Sequence, residues 1–139
     1  MKTFFYPRGV AVFGVSESRT NLGRIIVENL RRFGFKGAII PIGARTGTVA
    51  GMEIRARLSE SGEQADLAVL LIPAQDVPAA LEACGKGGIR RDVIESGGFS
   101  EFHAEDGVRM EGTIADIGRR LANLLLVDAF YRDLRRRGH

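Results

Sequence analysis

The run Gly9-Val10-Ala11-Val12-Phe13 contains no polar residue and is built from small and β-branched side chains. An apolar run of this length without alternation suits a strand covered on both faces, as in a parallel sheet. Gly14 follows at once, and a loop carrying Ser16, Ser18, Thr20 and Asn21 leads to Gly23. Residues 25–33 then show helical spacing, with Ile25, Ile26, Asn29, Leu30 and Phe33 predicted to face the sheet. A strand entering a glycine turn at a helix N-terminus gathers backbone N–H groups and the positive end of a dipole. Phosphate is held at such places.

The same grammar repeats along the chain. Gly34 is placed to cap the first helix in the left-handed conformation. Residues 38–42 read as a second strand, with Pro41 expected near its end because it lacks an N–H. Residues 43–51 are rich in glycine and threonine and read as a loop. A short strand is expected within 52–58, and a polar turn over 59–64. Residues 66–72 form the clearest buried strand, stopped by Pro73. Residues 76–84 have helical spacing, with Pro78 tolerated in the first turn and Val77, Leu81 and Cys84 turned inward. A strand over 89–95, a glycine turn at 96–99, a helix over 105–121 and a strand at 124–127 follow. This alternation predicts an α/β fold: a doubly wound, mainly parallel sheet in three α/β/α layers with right-handed crossovers. One domain is expected over 1–127, with a basic, amphipathic helical tail over 128–139.

Composition narrows the setting. The longest apolar runs fall far short of the roughly 18 residues of a membrane span. Pro7 and Arg8 interrupt the apolar patch near the N-terminus, so a signal peptide is not expected and the chain reads as cytoplasmic. Its single cysteine, Cys84, excludes an internal disulfide. A net charge of +3 and a cluster of arginines at 135–137 give a basic molecule. The cluster reads as a solvated terminus rather than a nucleic-acid or membrane contact, and the basic surface suits a small polyanion.

Ligands of such sheets sit at the carboxyl ends of the strands. Four predicted turns lie there: 14–21, 43–47, 73–76 and 96–99. The spacing of Gly14, Ser16 and Gly23 is only loosely that of a dinucleotide fingerprint. Sites for NAD normally carry a carboxylate after the second strand, for the ribose diol. Here Ile42-Gly43-Ala44-Arg45 stands instead, and no carboxylate occurs until Glu53. Arg45 favours a ribose phosphate, as in NADP or coenzyme A. Each residue also has a plainer reading. Gly14 can serve a tight turn alone, Ser16 can cap the helix with Thr20 and Asn21 as rivals, and Arg45 can be a solvated loop charge.

Taken in order, FFYPRGVAVFGVSES, Asn21-Leu22-Gly23, FGFKGAIIPI, DLAVLLIPAQDVPAALEACGKGGIR and VIESGGFSE carry more information. Over about residues 4–121 this set resembles the coenzyme-A-binding domain of NDP-forming acyl-CoA synthetases. That is the Rossmann-like first domain of the succinyl-CoA synthetase alpha subunit and its relatives. The resemblance implies a CoA cleft lined by Gly14, Val15 and Ser16, by Gly43, Ala44 and Arg45, by Pro73 and Ala74, and by Ser96, Gly97, Gly98 and Phe99. Asn21 stands where the family often has lysine, and Gly43-Ala44-Arg45 where it often has Asn-Pro-Lys. Residues 127–130 replace the Gly-Pro-Asn segment that usually leads to a second domain.

The expectation is therefore a CoA-binding module with no ligase activity by itself. The phosphohistidine and nucleotide-grasp domains are expected to be missing, supplied by a larger protein or a separate ATP-grasp subunit. CoA or acyl-CoA is the expected ligand, and the tail is expected either to fold back over the sheet's last edge or to pair with a second copy as a homodimer. An NADP-linked oxidoreductase-type domain, or a regulatory module with a degenerate site, are the alternatives. No catalytic residue and no metal site are assigned. His103 reads as a loop histidine, and Cys84 as a packed small hydrophobe.

Overall fold

The computed structural model describes residues 7–95 and 124–127. Strands β1 (Gly9–Phe13), β2 (Ala38–Ile42), β5 (Leu67–Leu70), β6 (Arg91–Ile94) and β7 (Leu124–Val127) form one sheet in the order β2-β1-β5-β6-β7. All of its pairings are parallel. Helix α1 (Leu22–Arg32) joins β1 to β2, and α2 (Val77–Lys86) joins β5 to β6. The two crossovers run in opposite directions from β1 and β5, so right-handedness places the helices on opposite faces.

The burial pattern agrees. Ala11, Phe13, Ile40 and Leu70 pack with Val77, Leu81 and Cys84 of α2. Val10, Val12 and Ile39 pack with Val27 of α1, backed by Ile26 and Leu30. Successive strand residues thus enter different cores, which is why β1, β2 and β5 are apolar throughout and do not alternate. The three-layer, doubly wound fold expected from the sequence is present.

Helix α1 starts earlier than the spacing predicted and turns a different stripe inward. Gly23 and Val27 are buried, with Ile26 and Leu30 partly so, whereas Ile25 is 38% and Phe33 80% exposed, and Asn29 is exposed too. The inner stripe, 23-26-27-30, is a proper helical face that begins on a glycine. A Cβ at Gly23 would lie 2.9 Å from the Gly14 carbonyl oxygen, so the helix approaches the turn most closely where the residue has no side chain to reveal it. Asn21 caps this helix, its side chain accepting from the Arg24 N–H at 2.7 Å. At the other end Gly34 has φ +83°, the Gly34 N–H donates to Arg31 and the Phe35 N–H to Leu30. These are the paired bonds of a Schellman cap.

Pro41 occupies the sheet's outer strand. Its carbonyl faces away from β1 and accepts from the Arg55 N–H at 3.0 Å, so the missing donor falls on the side away from β1 and costs the sheet no bond. Between β2 and β5 the chain crosses over without a regular helix. The expected 43–51 loop instead contains strand β3 (Gly47–Val49), which forms an antiparallel hairpin with β4 (Met52–Ile54). A single 3₁₀ turn, Leu58–Glu60, follows. Asp66 then ties the start of β5 to that of β1, accepting the Arg8 N–H at 3.1 Å. The expected turn at 96–99, the helix at 105–121, His103 and the tail at 128–139 lie outside the described residues.

Candidate functional site

The loops leaving β1, β2 and β5 meet at the carboxyl edge of the sheet and enclose an open cleft of about 520 Å³. Its first wall is Gly14, Val15 and Ser16, its second Gly43, Ala44 and Arg45, and its third runs from Leu71 through Ile72 and Pro73 to Asp76. Phe13, Ile42 and Ala56 complete it.

The first two walls are locked together. The N–H groups of Gly14 and Val15 both donate to the Ile42 carbonyl, at 2.9 and 3.0 Å. Gly43 is pressed against the same loop: a Cβ there would lie 2.0 Å from the Val15 carbonyl oxygen. Gly14 takes φ +94°, and a Cβ would lie 2.0 Å from the Leu71 carbonyl oxygen. Both glycines are therefore demanded by the approach of neighbouring backbones.

This corrects one part of the expectation. The first three N–H groups of the glycine turn are not open to a phosphate. Those of Gly14 and Val15 serve the Ile42 carbonyl, and that of Ser16 donates to the Asn21 side chain at 3.1 Å. At the start of α1, Leu22 and Gly23 keep the donors that every helix start leaves without an intrahelical acceptor. The positive side chains around the turn are Arg19, exposed in the loop, and Arg24, whose guanidinium donates to the Glu17 carbonyl. The first turn of α1 contains no acidic residue. Arg45 is exposed on the opposite loop.

Seven of the expected site residues line the cleft: Gly14, Val15, Ser16, Gly43, Ala44, Arg45 and Pro73. Two are near it without lining it. Asn21 braces the turn from behind, donating to the Gly14 carbonyl at 3.0 Å while accepting from Ser16 and Arg24. Ala74 is fully buried beneath the Pro73 turn, where it packs in the α2-side core. Ser96, Gly97, Gly98 and Phe99 lie outside the described residues. The sequence reading did not name Phe13, Ile42, Ala56, Leu71, Ile72 or Asp76 as site residues. Phe13, Ile42, Leu71 and Ile72 were read as strand, Asp76 ends the turn expected at 73–76, and Ala56 follows the hairpin with no period to mark it.

Cys84 has no part in the cleft. It is fully buried in α2, and desolvation, with the neighbouring Asp92 carboxylate adding to it, pushes its thiol well above the usual range. A thiol held protonated is not a nucleophile. Asp92, on β6, is fully buried and shares this pocket of the core. Among the described residues no group of side chains could hold a metal ion. None of the helices is long and apolar enough to cross a membrane, again among the described residues.

A second cavity, of about 750 Å³, lies between α2 and the 56–65 crossover, walled by Leu58 and by Ala79, Ala80 and Ala83. It is the larger of the two, but it lies along the face of the sheet. The smaller cleft is at the carboxyl ends of the strands, where ligands of such sheets sit.

A family model described as a CoA binding domain matches residues 8–127. The alpha subunit of an ADP-forming acetate–CoA ligase I from Pyrococcus furiosus is 32% identical over 130 residues, covering 91% of this chain and 28% of that protein. An ADP-forming 4-hydroxybutyrate–CoA ligase from Nitrosopumilus maritimus is 33% identical over 114 residues, covering 82% of this chain and 16% of its own length. Among solved structures, the apo form of a dinucleotide-forming acetyl-coenzyme A synthetase 1 from Ca. Korarchaeum cryptofilum superposes with a TM-score of 0.79 at 26% identity. It covers 90% of this chain, which spans 27% of it. The chain thus spans less than a third of the length of these relatives.

Proposed function

The chain belongs to the CoA-binding domain family, and from that premise we propose that it holds coenzyme A in the cleft at the ends of β1, β2 and β5. One observation carries this assignment. The turn after β1 and the loop after β2, locked to each other through the Ile42 carbonyl, present Ser16 and Arg45 on facing walls of a single cleft.

In this reading Arg45 meets the phosphate on the ligand's ribose. Its planar fork suits a phosphate's paired oxygens. Ile42, Leu71 and Ile72 offer the apolar wall for the base, and Arg19 and Arg24 raise the local potential for the remaining phosphates. Asn21, lacking the charge expected at its place, contributes shape instead of attraction.

The described cleft residues hold no nucleophile–base pair. We infer that activation of an acid for transfer to the CoA thiol is carried out by further domains or by a separate subunit, since one relative is itself the alpha subunit of a ligase. The unit at 1–127 then acts as the CoA-holding part of an NDP-forming ligase, with its acyl substrate chosen elsewhere. The cytoplasm is the compartment that supplies this ligand.

Titration calorimetry with CoA, dephospho-CoA, NADPH and NADH tests the assignment. CoA is expected to bind most tightly. Arg45→Ala is expected to weaken CoA about fivefold and to leave dephospho-CoA unchanged, since an exposed ion pair contributes only about 1 kcal/mol. Tighter binding of NADPH would move the chain to the oxidoreductase reading. Binding of none of them would favour an interaction module.

A further inference from the structure

We propose that Glu17 is a positioning residue that sets the cleft's preference for a phosphorylated ribose, by fixing the loop that carries Arg45. The proposal deepens the CoA reading and rests on it. Arg45 sits in a short connection between Ile42 and the hairpin strand that begins at Gly47. The near end is fixed at Gly43, whose N–H donates to the Arg55 carbonyl at 2.9 Å. The far end is fixed by Glu17, which projects from the other wall of the cleft. Its Oε2 accepts the Thr48 N–H at 3.1 Å.

The packing is as telling as the bond. A Cβ at Gly47 would lie 2.7 Å from the Glu17 carboxyl carbon and 2.9 Å from its Cγ. Gly47 is thus the point where the carboxylate lies flat against the hairpin. The backbone of Glu17 is held in turn, because the Arg24 guanidinium donates to its carbonyl. A chain of contacts runs from the first turn of α1, through Glu17, to the hairpin and so to the Arg45 loop. With the loop fixed at both ends, Arg45 meets the ligand with less conformational freedom to lose.

A carboxylate at the rim of an anion site would ordinarily repel the ligand. Engaged with the Thr48 N–H, its charge is partly taken up by a backbone dipole and its role becomes one of shape. The accepting oxygen, not the charge, is what the loop requires. Glutamine keeps that oxygen and alanine does not.

The test uses the full chain and three variants: Glu17→Ala, Glu17→Gln and Gly47→Ala. The last pushes the carboxylate away without altering Glu17. Two measurements are made: amide exchange of Thr48 by NMR without ligand, and the affinity ratio of CoA to dephospho-CoA. Glu17→Ala and Gly47→Ala are expected to speed exchange at Thr48 and to cut the ratio by about fivefold, the scale of one lost hydrogen bond. Glu17→Gln is expected to match the unmutated protein in both. A ratio unchanged in Glu17→Ala, equal weakening of both ligands, or tighter CoA binding by Glu17→Gln would overturn the proposal. If the unmutated protein binds no CoA, the CoA reading fails and the selectivity role with it. The exchange measurement then still decides separately whether Glu17 ties the hairpin.

Discussion

Gly14 sits at φ +94° with the Leu71 carbonyl oxygen 2.0 Å from where a Cβ would be. Sequence reasoning left Gly14 either lining a ligand cleft or serving a tight turn alone. The geometry places the obstruction inside the fold. Gly14→Val is therefore expected to cost about 3 kcal/mol or more, from a strained backbone and a displaced strand end together. Urea denaturation checks this, and a midpoint within error of the unmutated protein would refute it. Cys84 presents the opposite case, a residue whose bland reading holds. Its thiol is buried beside Asp92 and its pKa is raised. The folded state keeps this proton where the unfolded chain releases it. The contribution to stability is therefore full below the usual thiol range, about 8.5, and falls as pH rises above it. Cys84→Ala is expected to flatten that decline in melting temperature between neutral and alkaline pH. The unmutated thiol should react with maleimide only after unfolding.

At the scale of elements, legibility followed the strength of the period. Strands β1, β2 and β5 could be read because each is a continuous apolar run, buried along most or all of its length, as Gly9–Phe13 is. The hairpin was legible only in its second arm, which falls within the short strand expected over 52–58; the first was read as loop, because each arm has three residues, with Thr48 and Glu53 exposed and too little length to show alternation. The inward face of α1 was misread because its anchor is Gly23, which an apolar period does not count. Of the cleft, the walls contributed by Gly14–Ser16 and by 43–45 were legible from their positions after strands. The locking of one wall to the other was not, since it depends on register between β1 and β2. The hairpin also offers a sharp test. Ala50 and Gly51 have φ +50° and +78°, the left-handed pair of a type I′ turn. Alanine is a poor residue for that position and asparagine a good one. Ala50→Asn is expected to stabilise the protein by about 1 kcal/mol, read as a higher urea midpoint with an unchanged slope. A lower midpoint would mean that the turn has another geometry.

For the whole molecule, the described fold is a sheet whose faces are occupied by helices and whose carboxyl edge is left to loops. Such a unit can hold a nucleotide-bearing ligand and present its reactive end outward. It need not carry the machinery that uses it. Two cavities compete for the ligand, the 520 Å³ cleft at the strand ends and the 750 Å³ cavity beneath the 56–65 crossover. Backbone amide shifts recorded by NMR during a titration with CoA decide between them. Changes are expected to centre on Gly14, Val15, Ser16, Gly43, Ala44 and Arg45, with Ala79, Ala80 and Ala83 unmoved. Shifts centred on those alanines and on Leu58, with the Gly14 and Arg45 loops silent, would contradict this.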